Sequence, residues 1–212
     1  MISRIIDLRR GLPPILALLL AVPLLGACGG SSLSYVVDDD KLKDMSRQGQ
    51  LWVYDAENEI VVALDQLDEA RDELLDIRHR LKAAEKSIKR AEKRRKSFLV
   101  QVAEAWLEYL EELETWAEAQ VKWRRLGVVM ARATVELAKA QVIQREDLLG
   151  GKDFDLADYR KQHADLEQAM EQRGKNLNNL RKKARRKEAQ WWRLRHQFVA
   201  KTGDYDSGLW ID

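Results

Sequence analysis

The chain has 212 residues, of which 34% are charged, and its 37 basic and 35 acidic side chains leave a formal net charge of +2. This balance excludes a strongly basic polyanion-binding protein and a protein dominated by an acidic tail. All prolines lie before residue 24. A proline-free remainder rich in Ala, Leu, Glu, Lys and Arg favours long helices with heptad character.

The first 27 residues have the pattern of a signal peptide. Arg4, Arg9 and Arg10 precede the apolar run LPPILALLLAVPLL, and small residues follow it just before Cys28, the only cysteine. A transmembrane helix needs about 20 consecutive apolar residues, whereas this run is shorter and is interrupted by prolines. The segment therefore predicts an exported protein whose leader, residues 1–27, is removed.

The four residues Leu25, Gly26, Ala27 and Cys28 resemble the lipobox of bacterial lipoproteins. This resemblance covers residues 1–32 only. It implies cleavage before Cys28, which would then carry a diacylglycerol thioether and an amine acylated by a fatty acid such as palmitate. Because Gly29 and not aspartate follows the cysteine, the resemblance also implies the outer membrane, with the mature part in the periplasm. The alternative is an unmodified thiol in an uncleaved signal anchor.

Residues 28–55 are expected to form the lipidated N-terminus and a flexible spacer. The stretch GGSSLSYVVDDDKLKDMSRQGQ mixes glycine, serine and aspartate without a helical period. Such a composition is typical of linkers.

Two apolar seams with alternating spacings of three and four residues predict helices over the rest of the chain. The first seam runs from Ile60 to Ala140, and only Arg95 and Glu112 interrupt it. A glycine pair at residues 150–151 predicts a helix end, and Asp153 or Asp155 is expected to cap the next helix. The second seam runs from Leu156 to Phe198. We expect helices at about 56–95, 97–148 and 154–201, followed by a C-terminal tail, residues 202–212.

The first seam leaves open whether residues 56–148 form one helix or two. One helix would be about 135 Å long, and its first half would pair with another copy. Residues 104–118 contain acids and no base. Turns near residues 97 and 151 would set this stretch against the basic runs at 86–94 and 181–187 and would fix the helix direction. We therefore predict an all-α fold, an elongated antiparallel three-helix bundle, with Trp191 and Phe198 packed near Trp106.

No enzyme is predicted, and neither are cofactors or metal ligands. His79, His163 and His196 are far apart in sequence, and no HExxH motif or glycine-rich phosphate loop is present,. The basic runs would favour nucleic acid in a cytosolic protein. Behind an export signal, no nucleic-acid partner is expected.

The expected function is that of a lipid-anchored structural or scaffolding coiled coil in the periplasm. It would bind the membrane through Cys28, with a protein partner expected and self-association left open. The alternative is a partner-binding adaptor or accessory subunit of an envelope transport or motility complex, or a periplasmic holdase. That protein would use the hairpin tip at Phe154 or the tail with Tyr205 and Trp210, because tyrosine and tryptophan are enriched in binding hot spots.

Overall fold

The computed structural model describes residues 33–151 and 154–205, and it confirms the all-α fold. A short 3₁₀ turn, Asp39–Leu42, precedes three long helices in this part of the chain: α1 (Arg47–Lys93), α2 (Ser97–Arg145) and α3 (Leu156–Thr202). No strand is found within these residues. Each helix is about 70 Å long at the usual α-helical rise.

Helix α2 lies in the centre and packs against α1 on one side and α3 on the other. Both neighbours run antiparallel to it. Among the described residues, no Cα atom of α1 comes within 8 Å of one in α3. This arrangement explains why α2 buries side chains on several faces, while α1 and α3 each bury a single stripe and leave their outer faces in solvent.

A tight turn separates α1 from α2, so the three-helix prediction is correct and the single helix of about 135 Å is excluded. Arg95 adopts a left-handed conformation with φ of 54°, and the N–H of Lys96 donates to the carbonyl of Ala91 at 3.3 Å. This geometry usually ends a helix at a glycine.

The densest core lies at the end of the helices that carries the α1–α2 turn. Trp106 and Leu110 are fully buried there. The ring of Trp191 lies 6.4 Å from that of Trp106 and 6.3 Å from that of Tyr109, with which it is stacked. The predicted aromatic cluster away from the glycine pair is therefore confirmed.

Ion pairs join the acidic stretch of α2 to both neighbours. Lys183 contacts Glu112 and Lys187 contacts Glu108, each at 2.7 Å, as the sequence predicted for α3. On α1 the partner of the acidic stretch is Arg78, and not the basic residues at 86–94. Those residues occupy exposed positions beside the buried stripe of small side chains at 84, 87 and 91.

The structure differs from the expected flexible spacer over residues 33–55. Helix α1 begins at Arg47, and residues 33–46, here called the N-terminal arm, pack against α2 and α3 beside the α2–α3 loop. Val37 is 3% exposed. Composition did not reveal this docking because single side chains and backbone hydrogen bonds, which follow no period, hold the arm.

Helix α3 begins and ends with well-defined caps. The carboxylate of Asp155 accepts a hydrogen bond from the N–H of Ala157 at 2.8 Å, so the predicted capping by Asp155 is confirmed. At the other end Gly203 takes a left-handed conformation.

Candidate functional site

Of the residues singled out in the sequence, Phe154 and Tyr205 lie within the described part of the chain. Phe154 is half-buried, and its ring stacks on Tyr159 at 5.6 Å. Tyr205 is 70% exposed, and its carbonyl accepts a hydrogen bond from Arg195 at 2.9 Å. The two residues flank α3 at opposite ends and are not brought together. Four others, at positions 25–28, and Trp210 lie outside the described residues.

The N-terminal arm forms a joint with α2 and α3, and this arm joint is the candidate site. Its first part is a clamp made by Gln162 of α3. The side-chain oxygen of Gln162 accepts hydrogen bonds from the N–H groups of Ser34 at 2.8 Å and Tyr35 at 3.0 Å. Its amide nitrogen donates to the carbonyl of Tyr35 at 3.0 Å. One glutamine side chain therefore binds two backbone donors and one backbone acceptor of the arm.

The second part of the arm joint is a buried carboxylate on α2. Glu136 is 9% exposed and accepts a hydrogen bond from the N–H of Val37 at 2.6 Å. Lys139 lies one turn further along and contacts Glu136 at 3.5 Å and Asp39 of the arm at 3.0 Å. Burial opposes the charge on Lys139, but the hydrogen bond to Asp39 and the charge of Glu136 outweigh it and raise the pKa of Lys139. The buried charges are thus compensated.

The third part couples the start of α1 to the end of α2. Ser46 caps α1 by accepting a hydrogen bond from the N–H of Gly49 at 3.1 Å. The hydroxyl and N–H of Ser46 donate to the carboxylate of Glu146 at 2.6 and 2.8 Å. These bonds, the hydroxyl bond first, lower the pKa of Glu146. A negative charge beside a helix N-terminus is also favourable.

Aromatic rings cover the arm joint. The ring of Tyr35 lies 5.9 Å from that of Tyr159, which in turn stacks on Phe154. The hydroxyl of Tyr159 donates to the carbonyl of Val36 at 3.3 Å. Phe154, proposed as a partner contact at the hairpin tip, is therefore part of the surface that receives the arm.

A groove of about 610 Å³ lies between α1 and α3, with α2 as its floor. It runs along the half of the helices nearer the arm joint. Its apolar lining includes Val62 of α1, Met130 of α2 and Met170 of α3. Polar groups also reach it: His163 lies 3.3 Å from the hydroxyl of Thr134. The groove exists because α1 and α3 do not touch.

Within residues 33–151 and 154–205, no three His, Cys, Asp or Glu side chains are grouped so that they could hold a metal ion. None of the helices in this part of the chain combines the length and the apolar character needed to cross a membrane.

Sequence reasoning missed the residues that hold the arm joint, among them Gln162, Glu136 and Glu146. Glu136 carried a usable signal, because it lies between the small seam positions 133 and 140 on a helix whose buried surface is wide. A carboxylate in such a place needs donors. Gln162 and Glu146 carried none, because polar residues beside a helix end are usual.

The chain was compared with known proteins. No protein-family model matches it, no curated protein matches it, and no solved structure matches it.

Proposed function

We propose that this protein is a lipid-anchored scaffold of the bacterial cell envelope, tethered to the outer membrane through Cys28 with its helices in the periplasm. The lipobox-like residues before Cys28 supply the anchoring part of the proposal. The scaffolding part rests on one structural observation, the arm joint.

The arm joint supports a tether with a defined attachment point. Between Cys28 and the arm the sequence has only residues 29–32. The arm is then held by the Gln162 clamp, the buried Glu136 and the Ser46–Glu146 pair. A force applied at the lipid would therefore be transmitted to α2 and α3 through a short segment, and not through a long linker. An end-fixed tether of this kind suits a protein whose role is to hold distance or orientation.

The helices supply the rigid part of the scaffold. On α2, the stretch from Trp106 in the aromatic core to Glu136 in the arm joint spans about 45 Å at the usual helical rise,. That core and the ion pairs of Lys183 and Lys187 fix the register of the far end. In this proposed mechanism the lipid anchors one end of the protein, and the rigid helices hold a stable surface at a fixed distance from it.

Lipid attachment is tested in cells that make the full chain. A clickable palmitate analogue should label the protein, and the mass of its N-terminal peptide should match an acylated Cys28. The variant Cys28→Ser should lose the label and leave the membrane fraction, while the matched control Ser31→Ala should keep both. An uncleaved N-terminus with a free thiol would contradict the proposal.

A second candidate is the partner-binding adaptor, and the exposure of Tyr205 favours it over a tip-docking version through Phe154. Crosslinking in intact cells separates the two functions. Under the scaffold proposal, Tyr205→Ala leaves the set of crosslinked proteins unchanged. Loss of one specific crosslinked protein in Tyr205→Ala, but not in the exposed control Gln144→Ala, would favour the adaptor.

A further inference from the structure

Helix α1 carries a second heptad series on its solvent side, here called the outer seam. Its members are spaced four and three residues apart without interruption, and every one is exposed. The outer seam consists of Val61, Asp65, Asp68, Asp72, Leu75, His79, Lys82, Lys86, Lys89 and Lys93. Residues spaced in this way lie along one face of a helix and form the contact line of coiled coils.

The charges of the outer seam are divided by sign along the helix. Its three aspartates precede Leu75, and its four lysines follow His79. The neighbouring positions strengthen the division, because Arg71 is the only base between residues 54 and 76. Within the described chain, Asp68 pairs with Arg71 on the same helix, whereas the lysines of the outer seam have no carboxylate partner.

The outer seam matches itself when a second copy is turned end for end. If a twofold axis passes α1 at the level of residue 77, each residue of one copy lies opposite a residue of the other copy, and the two residue numbers add up to 154. Asp65 then faces Lys89, Asp68 faces Lys86, and Asp72 faces Lys82, each twice. In heptad terms every such pair joins an a position to a d position, which is the layer pattern of antiparallel coiled coils.

We propose that α1 is a homodimer interface, in which the outer seams of two copies pair antiparallel about an axis at residue 77. A twofold axis makes the interface self-complementary, so one charge pattern provides both sides. A parallel pair would set aspartate against aspartate and lysine against lysine, and like charges across an interface are strongly disfavoured. The sign pattern therefore selects the antiparallel direction and the register.

Exposed apolar side chains on the same face support the proposal that a second copy covers this surface. Val61 is 57% exposed and Leu75 is 53% exposed, and Leu64 beside them is also open to solvent. In the proposed register Val61 lies against the aliphatic stem of Lys93, and Leu75 lies against His79. Long basic side chains cover apolar surface in this way while their charged ends remain in water.

Antiparallel pairing has a consequence for the tethers. The starts of the two α1 helices would lie at opposite ends of the dimer, about 90 Å apart by the helical rise. The dimer is thus a longer scaffold with an arm joint at each end. The pairing itself does not depend on Cys28, so it is tested separately from lipid attachment.

A zero-length crosslinker tests the pairing on the full chain in native membranes. A carbodiimide joins a carboxylate to an amine in direct contact. On one α1 helix Asp68 and Lys86 are about 27 Å apart, so a peptide linked between them comes from two copies. We expect a covalent dimer whose mass spectrum contains links from the outer-seam aspartates to the outer-seam lysines. The same links should form in the Cys28→Ser variant, which would separate failure of this inference from failure of the proposed anchor.

Charge exchange gives the decisive comparison. The double variant Asp68→Lys/Asp72→Lys should lower the yield of crosslinked dimer by roughly tenfold or more. Adding Lys82→Asp and Lys86→Asp should restore it through links with the roles reversed. The matched control Glu59→Lys/Glu73→Lys makes the same charge change at exposed positions of α1 that lie outside the outer seam and its flanks,, and it should keep wild-type yield.

Two results would overturn the inference: absence of outer-seam links in the wild type, or failure of the four-residue exchange to restore the dimer. All exchanged residues are exposed, so helix content measured by circular dichroism should remain that of the wild type. If it falls, the crosslinked peptides of the wild type alone decide the matter.

Discussion

Gly49 is the position where one added methyl group should disturb the arm joint. It lies in the first turn of α1 and is buried against α2. A Cβ atom built there would lie 2.7 Å from Glu146 Oε1, 2.8 Å from Met45 Cγ and 2.9 Å from Val142 Cγ1. All three distances are shorter than normal contacts. The substitution Gly49→Ala therefore sets helix propensity against packing.

The sizes of these opposing effects decide whether Gly49→Ala stabilises or destabilises the fold. Alanine in a helix is favoured over glycine by about 1 kcal/mol. Overpacking costs about 1 to 3 kcal/mol, because Val142 is 1% exposed and cannot turn away. Glu146 would also have to move from Ser46, and a hydrogen bond contributes about 1 kcal/mol. We therefore expect Gly49→Ala to lower the free energy of unfolding by about 1 to 3 kcal/mol.

Urea unfolding, combined with hydrogen exchange of the arm amides, measures this effect. Gly127→Ala and Gly174→Ala are matched controls in the interiors of α2 and α3, where the nearest atom to the new Cβ is 3.7 Å away. Each control should raise the free energy of unfolding by about 0.5 to 1 kcal/mol. If Gly49→Ala were as stabilising as the controls, the close packing described for the arm joint would be refuted.

Other predictions concern the α1–α2 turn and the arm joint. Arg95→Gly should raise the free energy of unfolding by about 0.5 to 1 kcal/mol, because glycine adopts the left-handed conformation without strain; Arg94→Gly, at a right-handed position, should lower it in the same urea titration. Because the pKa of Glu146 is lowered from its ordinary value of 4.5, its charged carboxylate stabilises the fold at pH values above 4.5, and this stabilisation is lost as the pH falls through the lowered pKa,. The amide resonance of Gly49 should report that loss, and Glu146→Gln should abolish the titration. Gln162→Ala removes three hydrogen bonds and should speed limited proteolysis within the arm by about tenfold or more; an unchanged cleavage rate would show that the clamp does not hold the arm.

Several features of the fold were predictable because they depend on local periodicity. The apolar spacing of α2 and α3 predicted the helices and the pairing of Trp191 with Trp106, since residues that repeat every three and four positions share a face. Asp155 was recognisable as a cap because its carboxylate acts on amides two or three residues away. The α2–α3 ion pairs followed from the same antiparallel register.

The candidate site was less predictable. Gln162 binds the backbone of residues more than a hundred positions earlier, and backbone groups are the same in every sequence. The bases at 86–94 were expected to face α2. Which side of α1 faces α2 depends on packing, and in the structure the small side chains at 84, 87 and 91 lie against α2 and leave the bases in solvent. The helical spacing of apolar residues predicts that one stripe of the helix is buried, but the packing of neighbouring side chains decides where the centre of that stripe lies.

The sequence by itself determined that this chain forms antiparallel helices, and it carries the lipobox-like segment on which the proposed anchor rests. Both properties are written in residues close together along the chain. Only the tertiary structure decided that the arm is docked, that α2 separates α1 from α3, and that the outer seam of α1 is left uncovered. These depend on contacts between distant segments, where side-chain volume and hydrogen-bond geometry in three dimensions choose among arrangements that satisfy the same local pattern equally well.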